Sequence, residues 1–329
     1  MTADISRRTM MVGAATLPAI GALSAGLSHP ARAALAPVGQ QVPSIYRQKI
    51  GAIELTVVND GVRNSPLAEG FVRNAKLEEV NAALEAAFLP KDAISAQFNP
   101  LLLNTGGKLV LIDTGNGPQG GGATVGRLIA NLGWAGVKPA DIDTVIISHF
   151  HGDHINGLRD DDGGLAFPNA EILVPQAEWA FWMDDGEQSR AAEGLQANFK
   201  NVRRVFKDID TRVRRYEWDK EIAPGITSVS TVGHTPGHTS FVVASGNAKL
   251  FVQADVTNHP ALFVTHPDWQ VQYDMDGAKA AETRRKTLDM VASERLQISG
   301  YHYPFPALGF IEKNGDGYRL VPATWNPAL

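Results

Sequence analysis

Eleven residues that begin at Ser148, SHFHGDHINGL, constrain the fold of this chain more than any other segment. Within six positions they collect three imidazoles and one carboxylate: His149, His151, Asp153 and His154. Polar groups of this kind cost free energy of desolvation when they are buried without partners, so a packed core gives no reason to gather them. The apolar run TVIIS directly precedes them and predicts a strand that ends in a metal-binding loop.

The spacing within this segment indicates that its metal-binding side chains point in two different directions. His149 and His151 are two residues apart at the end of an extended run, so both rings are expected on one face of the strand. Gly152 permits a sharp turn, after which Asp153 and His154 open the next helix and face another way. One pair can begin one metal site, and the second pair can begin another.

Three further candidate ligands each follow a β-type run elsewhere in the chain. They are His234 in VGHTPGHTS, Asp255 in VQADV and His302 in SGYHYP. Strand ends at one edge of a sheet lie close together, as ligand sites of α/β proteins illustrate. Residues far apart in sequence are therefore expected to meet at this edge and complete a dinuclear centre.

Composition narrows the chemistry and the partners. The 329 residues include no cysteine, which excludes disulfides, thiolate nucleophiles and zinc–thiolate sites. Histidine and carboxylate ligands suit two divalent ions, with Zn²⁺ preferred and Mn, Fe or Co as alternatives. The net charge is −5 and there is no long basic tract, which argues against nucleic acid as a partner. We expect a small-molecule substrate, and the sequence leaves a homodimer open.

The first residues have the features of an export signal. Arg7 and Arg8 precede a Gly/Ala-rich apolar stretch, and Ala31-Arg32-Ala33 matches an A-x-A cleavage site. We expect a twin-arginine signal over 1–33, a linker over 34–44 and one metal-binding domain over 45–329, in the periplasm or secreted. The alternative is an uncleaved membrane anchor, for which the apolar stretch is short and rich in glycine. After signal removal we expect no stable membrane insertion.

The remaining chain alternates paired β-type runs with helical segments. NTGG at 104–107 separates two apolar runs as a hairpin turn would. Helical periodicity covers 123–136 and 276–295, and most of 177–206. This alternation favours the α/β class, as a four-layer αββα sandwich of two mixed β-sheets flanked by helices in one domain.

The motif H-x-H-x-D-H, followed by a later His, an Asp and a final His, resembles the metallo-β-lactamase superfamily. The segments LLNTGGKLVLIDTG, LAFPNAE, GHTPGHTS and HYPFPALG resemble its methyl parathion hydrolase and lactonase-like group of exported dinuclear zinc hydrolases, over about residues 40–325. The resemblance implies that one metal is held by His149, His151 and His234, a second by Asp153, His154 and His302, and that Asp255 bridges them. It also implies that Asp113 in IDTG orients the histidine loop from behind.

The same resemblance implies a mechanism. A hydroxide that bridges the two metals would attack a lactone, ester or phosphotriester, while Asp153 or Asp255 moves a proton toward the leaving group. Other activities of the superfamily stay open as alternatives: hydrolysis of β-lactams or thioesters, or an iron-dependent oxidoreductase reaction. The chain departs from the group in the insert DVTNHPALFVTHPDWQ, so the resemblance does not imply a particular substrate.

Several other side chains are weaker candidates. Trp182, Tyr303 and Phe305 are candidate walls of the substrate pocket, although aromatic residues at helical spacing, as around Trp182, more often belong to a core. His238, four residues after His234, is expected to be a hydrogen-bonded structural residue. His259 and His266 follow Asp255 closely and could line the pocket or lie on the surface.

Overall fold

The computed structural model describes residues 41–118 and 124–329, together with Gly39. The predicted export signal at 1–33 and most of the predicted linker lie outside the described residues. The first strand begins at Ile45.

The described residues contain strands that form two large sheets and one separate hairpin. In chain order they are β1 (Ile45–Ile50), β2 (Ile53–Val58), β3 (Gly61–Pro66), β4 (Ala93–Phe98), β5 (Leu101–Asn104), β6 (Leu109–Ile112), β7 (Thr144–Ile146), β8 (Glu171–Pro175), β9 (Val213–Tyr216), β10 (Glu221–Ala223), β11 (Ile226–Ser230), β12 (Thr239–Ser245), β13 (Ala248–Val252), β14 (Gln297–Ser299), β15 (Leu308–Asn314) and β16 (Gly317–Pro322). The hairpin predicted at NTGG joins β5 to β6, which pair antiparallel.

The α-helices are shorter and lie mostly between strands. They are α1 (Leu77–Ala86), α2 (Leu128–Trp134), α3 (Gly152–Ile155), α4 (Gln176–Trp182), α5 (Asp185–Arg190), α6 (Glu193–Val205) and α7 (Gly277–Ser293). Among the described residues, none of the helices has the length and apolar character needed to cross a membrane.

Two seven-stranded sheets form the centre of the fold. The first has the order β1-β2-β5-β6-β7-β8-β9, and the second has the order β10-β11-β12-β13-β14-β15-β16. Both are mixed, because β6 to β9 run parallel in the first sheet and β13 and β14 run parallel in the second. The hairpin of β3 and β4 forms a separate two-stranded sheet.

The burial pattern confirms the four predicted layers. Within β6, Val110 and Ile112 pack between the two sheets against residues such as Phe241, whereas Leu111 packs on the opposite face with Leu128 and Leu132 of α2. This alternation follows from the two-residue period of a strand. On the outer face of the second sheet, Leu288 and Val291 of α7 join Phe251 and Ile298, which completes the αββα sandwich.

The helix predicted over 123–136 is shorter than expected, because its start is set by a distant carboxylate. Asp60 is fully buried and accepts hydrogen bonds from the backbone amides of Gly126 and Leu128. These bonds hold the chain ahead of α2, so the helix begins at Leu128.

Candidate dinuclear metal centre

The candidate ligands follow strands that point to one edge of the sandwich. The histidine loop follows β7, and Asp113 follows the parallel neighbour β6. In the second sheet, Asp255 follows β13 and His302 follows the parallel strand β14. His234 follows β11, which runs in the same direction as β13 because both pair antiparallel with β12. The predicted convergence of strand ends is therefore present.

The histidine loop differs in one respect from its prediction. The strand β7 ends at Ile146, so His149 and His151 lie beyond it and not on one face of a strand. The chain leaves the sheet at Ser148, whose amide donates to Asp113 Oδ1 at 2.8 Å and whose carbonyl accepts from the Thr239 amide at 3.1 Å. The loop, and not the strand period, brings the two rings together.

The first group of donor atoms consists of three imidazole nitrogens. Nδ1 of His151 lies 3.1 Å from Nε2 of His149 and 2.9 Å from Nε2 of His234. Tetrahedral zinc with Zn–N bonds of about 2.0–2.1 Å places its nitrogens about 3.3 Å apart. The three rings are therefore close to the arrangement that one such ion requires.

The second group combines carboxylates and imidazoles. Oδ2 of Asp153 lies 3.4 Å from Nε2 of His302 and 3.6 Å from Nε2 of His154. Oδ2 of Asp255 lies 3.0 Å from Nε2 of His302 and 3.4 Å from Nε2 of His234. Asp255 thus touches a member of each group, which is the position of a bridging ligand.

Two buried atoms support a metal at this place. Nε2 of His154 and Oδ1 of Asp255 are buried without a hydrogen-bond partner, although they lie 3.4 Å apart. Buried polar atoms in native proteins are nearly always satisfied, and a cation between ligand atoms would satisfy both. All seven candidate ligands fall into three overlapping groups whose donor atoms lie within 4.8 Å of one another.

Hydrogen bonds behind the ligands fix the orientation of their rings. Oδ2 of Asp113 lies 2.8 Å from Nδ1 of His154, so that ring presents Nε2 to the site, as predicted for an orienting aspartate. Nδ1 of His302 donates to the carbonyl of Gln97 at 2.9 Å. Such partners set the tautomer of a metal-binding histidine.

Two supporting groups were not found from the sequence. Asp274 lies 2.8 Å from Nδ1 of His234, with no preceding strand pattern to signal it. Tyr301 donates from its hydroxyl to the Asp153 carbonyl at 2.6 Å and stacks on His154 at 3.9 Å between ring centroids. Its position directly before His302 was the only sequence signal available.

His238 has the structural role expected of it. It is fully buried, its Nε2 accepts a hydrogen bond from the Asp255 amide at 3.1 Å, and its Nδ1 lies 2.9 Å from Thr231 Oγ1. Burial and the nearby His234 hold the pKa of His238 well below its usual value. The neutral ring therefore holds the backbone of Asp255 in place.

The three imidazoles of the first group differ in the direction of their pKa shifts. Burial lowers the pKa of His149 well below its usual value and lowers that of His151 to about 3. Burial would also lower the pKa of His234. Hydrogen bonds to Asp255 and Asp274 outweigh this effect and raise the pKa of His234 to about 9. Metal binding would have to displace the proton of His234.

In the second group, the carboxylates and the imidazoles shift the pKa values of one another. Burial would raise the pKa of Asp255, but the charges of His302 and His154 hold it well below its usual value. Burial would lower the pKa of both imidazoles, but the carboxylates, Asp255 foremost, raise them. The carboxylates of the second group therefore favour the protonated form of the imidazoles that they face.

Five of the seven candidate ligands line the floor of a cavity of about 820 Å³, namely His151, Asp153, His234, Asp255 and His302. The wall combines apolar and polar side chains. Apolar wall residues are Phe71, Ile94, Ala96, Phe98, Leu195 and Met275, and polar ones are Arg63, Ser65, Asn198, Asn258 and Gln272. This volume lies within the usual range for small-molecule sites.

Comparison with known proteins identifies the family. The model of the metallo-beta-lactamase superfamily matches residues 97–300, which is more than half of the chain. The chain belongs to the metallo-beta-lactamase superfamily. The matched range contains the histidine loop, His234 and Asp255, and it ends two residues before His302.

Solved structures of this superfamily share the fold over most of the chain. AidC, a dizinc quorum-quenching lactonase solved with a product, aligns with a TM-score of 0.82 and 29% identity, covering 86% of this chain and 99% of that chain. AbOPH, a hydrolase of the beta-lactamase superfamily, aligns with a TM-score of 0.81 and 26% identity, covering 87% of this chain and 100% of that chain.

Sequence relatives within the superfamily match over shorter stretches. An N-acyl homoserine lactonase of Bacillus cereus is 30% identical over 134 residues, 40% of this chain and 46% of the relative. The lactonase AttM of Azorhizobium caulinodans is 30% identical over 140 residues, 39% of this chain and 47% of the relative. The chain spans about half the length of these curated relatives.

The three predicted pocket aromatics do not line the cavity of this superfamily member. Trp182 is fully buried beside Phe199, and its indole N–H donates to Glu178 Oε2 at 2.6 Å. Tyr303 is fully buried in the core below α7, with its hydroxyl 2.6 Å from Thr257 Oγ1. Phe305 is half-buried and packs against the core between the sheets.

The wall aromatics are instead Phe71, Phe98 and Tyr273. His259 is buried and directly precedes the helical turn Pro260–Val264. His266 stacks on Trp269 at 4.0 Å between ring centroids. Neither histidine lines the cavity.

Proposed function

We propose that this protein is a dinuclear metal-dependent hydrolase that opens lactones, with zinc as the metal that best suits its ligands. One observation carries the proposal: seven His and Asp side chains converge, Asp255 lies close to both His234 and His302, and five of the seven line a partly apolar cavity. The similarity to a dizinc lactonase over most of the chain supports lactones as the first substrates to test.

The residues divide the chemical work between them. When bound, two divalent ions of this kind supply a nucleophile from water at neutral pH and polarise the carbonyl of the substrate. Both oxygens of Asp255 face imidazoles, and its side chain is only 3% exposed. The Asp153 side chain is 22% exposed, so Asp153 is the carboxylate better placed to pass a proton to the ring oxygen that leaves.

The cavity suits a lactone that bears an apolar substituent. With its carbonyl at the ligands, such a substrate would place the substituent along Phe71, Ile94 and Leu195. Burial of apolar surface there contributes roughly 25 cal/mol for each Å² removed from water, while polar side chains such as Asn198 can hydrogen-bond an amide.

The test combines metal analysis of the purified protein with a hydrolysis panel. The panel contains N-hexanoyl and N-decanoyl homoserine lactones, an aryl acetate, a phosphotriester, a cephalosporin and a glutathione thioester. We expect about two metal ions per chain, because seven ligands exceed the four of one tetrahedral ion, and the highest kcat/KM for a lactone. His302→Ala should lose activity, and His266→Ala, which lies outside the cavity, serves as the control.

Two results would contradict the proposal. One is a single firmly bound ion with His302→Ala fully active. The other is the cephalosporin or the glutathione thioester turned over faster than every lactone, which would favour one of the other reactions of the superfamily.

We also propose that the chain is exported through the twin-arginine pathway, on the basis of Arg7 and Arg8 ahead of an apolar stretch. Replacement of both by Lys should retain the protein in the cytoplasm, as measured by fractionation of cells. Normal periplasmic levels of the double variant would count against this route.

A further inference from the structure

A buried ion pair lies directly behind His234. Oδ1 of Asp274 is 2.8 Å from Nδ1 of His234, and Oδ2 of Asp274 is 3.2 Å from Nη2 of Arg284. Asp274 is fully buried and Arg284 is 1% exposed. His234, Asp274 and Arg284 therefore form a chain of charge-assisted contacts that runs from the candidate metal centre to α7.

The remaining contacts of Arg284 reach the loop that lines the cavity. Nε donates to the carbonyl of Val256 at 2.8 Å, and Nη1 donates to those of Pro267 and Trp269. Val256 directly follows the candidate bridging ligand Asp255. One guanidinium thus holds the backbone next to Asp255 and the carboxylate behind His234.

Stability alone does not account for this arrangement. A buried ion pair often contributes no more to folding than apolar side chains of the same volume, because desolvation opposes the attraction of the charges. The direction of the contacts is more informative. With Nδ1 engaged by Asp274, His234 presents Nε2 to His151 and Asp255, at 2.9 and 3.4 Å.

We propose that Arg284 is a positioning residue of the metal centre. It holds the Asp274 carboxylate against Nδ1 of His234, so that the ring keeps the tautomer and orientation in which Nε2 binds the metal. This inference rests on the metal centre of the proposed function. Partners that orient a metal-binding histidine typically contribute 10- to 100-fold to metal affinity.

The test measures Zn²⁺ affinity by competition with a chelator, without substrate. Asp274→Asn keeps the shape of the side chain but removes its charge, and we expect it to weaken one of the two Zn²⁺ equivalents about 10- to 100-fold. Arg284→Met should have a similar effect, and Arg284→Lys, which keeps the charge, should restore part of the affinity. Because Asp274 and Arg284 act on the same ring, the double variant Asp274→Asn/Arg284→Met should lose less than the sum of the two changes.

The next residue on α7 provides a matched control. Arg285 pairs with Asp268 at the surface, so it ties the same helix to the same loop without touching His234. Arg285→Met and Asp268→Asn should therefore bind Zn²⁺ as the wild type does.

The proposal is overturned if Asp274→Asn and Arg284→Met bind both Zn²⁺ equivalents with wild-type affinity and only lower the free energy of unfolding. If Arg284→Met does not fold, Asp274→Asn and Arg284→Lys decide the question in the same way. A wild type that binds two equivalents of Zn²⁺ but opens no lactone would overturn the proposed function alone.

Discussion

Among single residues, Asp255 lies close to three of the other candidate ligands. Oδ1 lies 3.4 Å from Nε2 of His154, while Oδ2 lies 3.4 Å from that of His234 and 3.0 Å from that of His302. The His238 ring accepts a hydrogen bond from its amide and holds the backbone in place. A carboxylate in this position reduces the repulsion between two cations and fixes their separation.

We predict that Asp255→Asn loses this effect while the fold stays intact. Asn keeps the shape of the side chain but not its charge, so at least one metal should bind more weakly. Turnover should fall by about 100-fold or more, the order of magnitude for removal of one electrostatic group at a reaction centre. Metal analysis and kcat on the best lactone measure both effects.

The matched control is Asp161→Asn. Asp161 is exposed in a loop outside the site, and such changes alter stability by no more than about 0.5 kcal/mol. If Asp255→Asn kept two metals and wild-type turnover, Asp255 would not be the bridging ligand.

At the scale of elements, one carboxylate on α4 joins the two loops that carry the first three imidazoles. Glu178 is fully buried. Its Oε2 accepts from the Phe150 amide at 3.1 Å and from the Trp182 indole, and its Oε1 accepts from the Gly237 amide at 2.7 Å. The loop after β7 and the loop after β11 are therefore tied to the same helix.

We predict that Glu178→Gln destabilises the protein by about 1–3 kcal/mol, the cost of leaving a buried donor or acceptor unsatisfied. The amide of Gln turns its NH₂ group toward at least one of the three donors, which then loses its acceptor. Urea unfolding of the metal-free protein measures the effect. Glu187→Gln on α5 breaks an exposed pair with Arg190 and should cost only about 0–1 kcal/mol; equal losses for the two variants would contradict the role of Glu178.

Some strands could be predicted from the sequence and others could not. Strand β6, LVLI, was apparent because a strand covered on both faces is a continuous apolar run. Strand β3, GVRNSP, was missed because it contains Pro66 and the charged Arg63, and its one strand partner among the described residues is β4. Its formation depends on tertiary packing and not on intrinsic propensity.

The residues of the candidate site also differ in whether the sequence could predict them. The seven candidate ligands follow strand ends in a recognisable spacing, so they were found. Asp274 was not, because it faces His234 only when the segment before α7 packs against the loop after β11, and no local pattern records that contact. Trp182 was a candidate pocket wall, but the helical spacing around it favoured a core position, and its buried side chain belongs to the core.

At the scale of the whole molecule, each sheet is built from its own half of the chain. The first sheet uses strands between Ile45 and Tyr216, and the second uses strands between Glu221 and Pro322. Four candidate ligands come from the first half and three from the second, so the centre lies at the seam between the sheets.

Two buried tyrosines in the second half of the chain predict how the folded molecule responds to alkaline pH. Burial raises the pKa of Tyr303 to about 12, and burial with the nearby Asp289 carboxylate raises that of Tyr318 to about 12. Because the folded pKa lies above the unfolded value of about 10, this contribution to stability is complete below about pH 10. It is lost as the pH rises from about 10 toward 12.

Urea unfolding below and above about pH 10 measures this dependence. The free energy of unfolding of the wild type should fall across the window, and Tyr318→Phe, which has no hydroxyl to ionise there, should fall less steeply. Identical slopes for both proteins would contradict the assignment of this pH dependence to Tyr318.

The position of the centre at the seam has a mechanical consequence in a chain without cysteine. An ion bound by His151 and His234 would close a loop of 83 residues, as a disulfide between the two halves would. Closure of a loop of that length lowers the entropy of the unfolded chain by an amount worth about 4.5 kcal/mol in the chain-entropy model. A chelator would then act as a reducing agent does on a disulfide-bonded protein, and resistance to proteases would decline together with catalysis.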